Sequence, residues 1–76
     1  MRGSVTDLMK DRGYGLILGE DGCVVYFDEN SLDGVDIRAL SVRDWVEYQE
    51  QYLGAHVRAV KVRPILGPRT SVANWP

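Results

Sequence analysis

Tyr14 and Tyr26 are the residues whose type and setting point most directly to chemistry. Tyr14 opens the run Tyr14-Gly15-Leu16-Ile17-Leu18 with a glycine on either side of it, and Tyr26 stands in Val24-Val25-Tyr26-Phe27. An aromatic ring on the outer surface of a sheet stacks with nucleobases, contributing about 1–3 kcal/mol per base with little regard to which base it is. Flanking glycines let a neighbouring strand or a ligand come close. Lys10 and Arg12, in the polar stretch just ahead of Tyr14, are cations suited to phosphate.

Other reactive side chains are present without the partners that chemistry needs. Asp7, Asp28 and Glu29 offer carboxylates for a hard cation or for acid–base work. Their spacing is not that of a metal motif, and Asp28 and Glu29, adjacent on a strand, point apart. His56 has no legible acid–base partner. Cys23 has no basic neighbour in sequence to lower its pKa, so a buried or edge thiol is expected. One cysteine and one histidine exclude an internal disulfide and a cysteine–histidine zinc cluster. No nucleophile–base pair is found, so an enzyme is not expected, and neither is a cofactor or bound metal.

Short, punctuated apolar runs must position these residues, since no window sustains a helical period. Gly3 to Met9 reads as a first strand with Val5 inward, and Lys10-Asp11-Arg12-Gly13 as a turn. Tyr14 to Leu18 is the second strand, with Ile17 inward and Tyr14, Leu16 and Leu18 outward. Gly19-Glu20-Asp21-Gly22 is a hairpin signal, because Asp-Gly suits positions of positive φ. Cys23 to Asp28 is the third strand, with Val25 and Phe27 inward and Tyr26 and Asp28 outward.

Glu29 to Gly34 suggests a single helical or 3₁₀ turn, followed by a polar connection. Asp44 to Tyr48 is a fourth strand containing Trp45, a ring of the size that seals a core or an interface. Ala55 to Val62 alternates as a fifth, with a register change near Val60 and Val62 that a bulge explains. Five strands without a long helix predict a closed barrel, because closure removes unpaired edges. Pro64 to Pro76 contains three prolines and should leave the barrel. Trp75, within that tail, is expected to pack back on the barrel or on a neighbour.

Seventy-six residues allow one domain with a small core. The lone thiol, the lack of an apolar leader after Met1 and the lack of any run of about 18 apolar residues point to a cytoplasmic protein away from membranes. A net charge of −2 argues against strong unselective binding to nucleic acid. The charge is split, however. All eleven acids lie in residues 1–50, whereas residues 51–76 carry Arg58, Lys61, Arg63 and Arg69 and no acid. Arg58, Lys61 and Arg63 are either a solvated face or a second phosphate-contacting surface.

The run Arg12-Gly13-Tyr14-Gly15-Leu16-Ile17, the Asp21-Gly22 turn and Val25-Tyr26-Phe27-Asp28-Glu29-Asn30 together resemble the cold-shock domain family. That family reads Gly-Tyr/Phe-Gly-Phe-Ile after a lysine on its second strand and Val-Phe-Val-His-x-Ser on its third. The likeness takes in Gly3 and Val5 before these motifs and Leu40, Val46, Tyr48, Ala59 and Val60 after them, covering about residues 2–63. The resemblance implies an all-β fold: a five-stranded antiparallel OB-fold barrel over residues 1–63 with a proline-containing tail over 64–76. It also implies binding of single-stranded RNA or DNA on the outer face of the first three strands. Lys10, Arg12, Tyr14, Leu16, Tyr26 and Asp28 are the residues this places at the nucleic acid.

Departures from the family lie on that same face. Its strand-one Lys-Trp-Phe-Asn is Thr6-Asp7-Leu8-Met9 here, its strand-two phenylalanine is Leu16, and its strand-three histidine is Asp28, followed by Glu29. Two outward aromatics remain, and the new carboxylates repel a phosphate chain. Weak binding is therefore expected. The alternative is a protein-interaction or dimerisation module in which Leu8, Met9, Leu16 and Leu18 form an exposed apolar patch.

Overall fold

The computed structural model describes residues 1–65. Five strands, β1 (Arg2–Met9), β2 (Tyr14–Gly19), β3 (Val24–Asp28), β4 (Trp45–Leu53) and β5 (His56–Pro64), close into a barrel in the order β1-β2-β3-β5-β4. The tail expected to leave the barrel from Pro64 begins later. Pro64 ends β5 paired with Val46, and Ile65 donates its N–H to the Trp45 carbonyl at 3.0 Å. Residues 66–76 of the tail expected over 64–76, with Arg69 and Trp75, lie outside the described residues. No helix among the described residues is long and apolar enough to cross a membrane.

The barrel is not wholly antiparallel. β3 and β5 run parallel where Tyr26 pairs with Arg58, and the seam continues as a parallel bridge between Leu32 and Val62. The reason is parity: strands in a closed ring of five cannot alternate in direction all the way round, so one neighbouring pair must run parallel.

Alternation fixes the core. Val5, Ile17, Val25, Phe27, Val46, Tyr48, Ala59 and Val62 all point inward and are buried. Gly15 faces inward between them, where a Cβ would lie 2.7 Å from the Asp7 carbonyl oxygen and 2.8 Å from the Phe27 ring. At the hairpin between β2 and β3, Gly22 has φ of +86°, the geometry its Asp-Gly sequence predicts.

Two bulges interrupt the alternation. On β1, Val5 pairs with Ile17 and Asp7 with Leu16, so Thr6 is the extra residue. Leu8 is thereby turned towards the core and packs against it, which removes it from the exposed patch that strict alternation predicts. On β5, Glu47 pairs with Arg63 and Gln49 with Val60, leaving Lys61 and Val62 opposite Tyr48. Lys61 takes the left-handed conformation, φ +53°, and the bulge buries Val62 three residues after Ala59. This is the register change that the sequence shows near Val60.

The connection from β3 to β4 holds two 3₁₀ turns, Glu29–Ser31 and Ile37–Ala39. The second was expected to be plain polar connection. It brings Ile37 and the following Leu40 into the core, capped by Asp36, whose carboxylate accepts from the Arg38 backbone N–H at 2.9 Å. The Arg38 guanidinium also donates to that carboxylate, holding the Asp36 pKa down at about 2. β4 runs on past Tyr48 to Leu53, further than the expected Asp44 to Tyr48. Beyond Tyr48 it pairs with β5 as a ribbon with little burial, so its polar sequence carries no inward signal.

Candidate nucleic-acid interface

The outer face of β2 and β3 carries four of the six expected binding residues. Tyr14 pairs with Asp28 and Leu16 with Tyr26, all at outward positions. Tyr14 and Tyr26 are therefore diagonal neighbours, within reach of each other for aromatic side chains. Their rings stack with centroids 5.7 Å apart and planes inclined by 27°. Tyr26 keeps 41% of its surface exposed, so the pair presents aromatic area to solvent while each ring supports the other.

β1 borders this platform with Asp7 opposite Leu16 and Met9 opposite Tyr14. On β3, Asp28 is half-buried and accepts a hydrogen bond from Ser31 Oγ, 3.1 Å from its Oδ1. Ser31 is itself only 4% exposed, so this partner is firmly seated. The next residue, Glu29, donates its backbone N–H to the Gly13 carbonyl at 2.8 Å. Its carboxylate lies over Gly13, where a Cβ would meet it at 2.9 Å. Acidic groups thus stand close beside Tyr14.

The two cations expected from the turn are present at the Tyr14 end of the face. Arg12 is exposed. Lys10 Nζ donates to the Arg38 carbonyl at 3.1 Å, an exposed contact.

The parallel seam adds a cation that sequence reasoning left out of this site. Arg58 pairs with Tyr26 across β3 and β5 and so emerges beside the stacked rings. It is half-buried, and its Nε is enclosed with no hydrogen-bond partner among the described residues. The parity of a five-membered ring, combined with the outward alternation of β5, was the available signal. The basic run grouped with it in sequence is dispersed in space. Arg63 pairs with Glu47 at 3.1 Å, and Lys61 sits in the β5 bulge. Both line a polar groove of about 440 Å³ together with Asp33 and Glu47, a lining of mixed sign rather than a phosphate track.

A second exposed feature crosses the same sheet. Val24 pairs with Leu18, Leu18 with Ser4, and Ser4 with Trp45, forming one outward row over β3, β2, β1 and β4. Val24, Leu18 and Trp45 are all exposed, so Trp45 does not seal the core of this chain. Cys23, expected to be buried or at an edge, is exposed just ahead of β3. His56 is exposed at the start of β5. Among the described residues no group of three or more His, Cys, Asp or Glu side chains is arranged to hold a metal ion.

Set against known proteins, the chain matches no family model and no curated protein.

Proposed function

We propose that this chain is a divergent cold-shock-like barrel of the OB type that binds single-stranded RNA or DNA, weakly, on the outer face of β2 and β3. The observation that carries the reading is the stacked Tyr14–Tyr26 pair, open to solvent and bordered by Arg58 on the neighbouring strand. Bases stack on the two rings, Leu16 supports them between Asp7 and Tyr26, and Lys10, Arg12 and Arg58 meet the phosphates. No bond is made or broken, and no cofactor is needed.

Weakness follows from charge. Three cations serve the face while Asp7, Asp28 and Glu29 oppose a polyanion there. With three phosphates neutralised on a single strand, log K should fall against log salt with a slope of about −2. Anisotropy titrations of labelled mixed-sequence, dT and rU oligomers at low and high salt test this. Replacing both rings, Tyr14→Ala with Tyr26→Ala, should weaken binding at least tenfold, given about 1–3 kcal/mol for each stacked base. Absence of binding at high micromolar protein in low salt would remove the reading.

The apolar row of Val24, Leu18 and Trp45 favours a second reading, a protein-contact or dimerisation surface. Such an interface does not weaken steeply with salt. Concentration-dependent self-association abolished by Trp45→Ser and indifferent to salt would support it.

A further inference from the structure

We propose that Asp28 makes the tyrosine face selective for bases that offer hydrogen-bond donors, with guanine preferred and thymine or uracil disfavoured. The inference rests on the nucleic-acid reading above and concerns the same site.

Asp28 is the register partner of Tyr14. Directly opposed residues on neighbouring strands hold their Cβ atoms about 4.5–5.5 Å apart, so the edge of a base stacked on Tyr14 lies within reach of the carboxylate. The Ser31 hydroxyl fixes Oδ1 from a buried position. No cation pairs with Asp28 among the described residues. With Oδ1 already held by Ser31, the carboxylate keeps accepting capacity, chiefly at Oδ2, for a donor on a bound base.

An ionised carboxylate only accepts hydrogen bonds. The pairing edge of guanine carries an imino N–H and an amino group side by side, so it donates twice to one carboxylate. Cytosine and adenine each offer an amino group, and acidic side chains accept from the cytosine amino group in known readout. Thymine and uracil present one imino N–H between two carbonyl oxygens, and those oxygens repel a carboxylate. Asp7 and Glu29, flanking the same rings, bias the face in the same direction. The carboxylates that weaken phosphate binding thereby become the source of base discrimination.

The test uses the full chain and three labelled heptamers, each with dT at six positions and guanine, hypoxanthine or thymine at the centre. Hypoxanthine keeps the imino donor of guanine and lacks its amino group. Binding of the guanine heptamer should be about fivefold tighter than that of the thymine one, with hypoxanthine between them. Asp28→Asn keeps an acceptor for Ser31 and removes the charge. It should bring the guanine-to-thymine ratio close to one, with the thymine heptamer bound as tightly as before or more tightly. Equal affinities for the three heptamers, or a ratio that survives Asp28→Asn, would overturn the proposal. If binding is lost with the tyrosine double variant yet shows no base preference, only the base reading falls. If no heptamer binds, the face reading falls with it.

Discussion

Tyr48 stands inside the barrel with 2% of its surface exposed, and its hydroxyl has no hydrogen-bond partner among the described residues. Gly19 makes room for it, since a Cβ there would lie 2.6 Å from that oxygen. Burial, followed by the negative charges of Asp21 and Glu50, pushes the phenol pKa up. The unfolded chain therefore loses this proton first, and stability falls as pH rises past about 10. An enclosed, unpaired hydroxyl is a cost rather than a contribution. Tyr48→Phe should raise unfolding stability by about 1 kcal/mol in urea titrations and flatten the decline at high pH. A loss of stability would mean that the hydroxyl is satisfied. Inward positions such as Val5, Ile17, Val25 and Phe27, and the outward tyrosines, were legible because each run alternates cleanly. Leu8 was not, because the extra residue Thr6, two positions earlier, shifts the register.

Among the elements, the β5 bulge was legible and the β1 bulge was not. On β5, Ala59 and Val62 are apolar at a spacing that strict alternation forbids, so the sequence betrays the shift. On β1, Thr6 and Asp7 are both polar and both exposed, so either register looks acceptable until Leu8. Lys61 adopts φ +53° with an exposed side chain. An L-residue pays about 1–2 kcal/mol in that region and glycine almost none. Lys61→Gly should therefore stabilise the fold by up to about 1 kcal/mol, and Lys61→Val should destabilise it, both read from urea midpoints. The reverse order would show that the bulge is held by the lysine side chain. The 3₁₀ turn at Ile37–Ala39 escaped the sequence reading because its two core residues, Ile37 and Leu40, are too few to establish a period.

At the scale of the whole molecule, ring closure shapes the site more than any single run of residues does. Five strands force one parallel seam, and that seam sets Arg58 beside Tyr26 although the two are far apart in sequence. Along the chain Arg58 groups with Lys61 and Arg63; in space the bulge and the Glu47 ion pair separate them. The aromatic half of the site was thus open to reading from local pattern, whereas its third cation depended on topology. The most direct test is to titrate the ¹⁵N-labelled chain with a mixed-sequence single-stranded heptamer at low salt and follow backbone amide shifts. Binding at the tyrosine face predicts shifts concentrated at Tyr14, Leu16, Tyr26 and Asp28 and extending across the seam to Arg58. Shifts confined to Val24, Leu18 and Trp45, or no shifts at all, would contradict it.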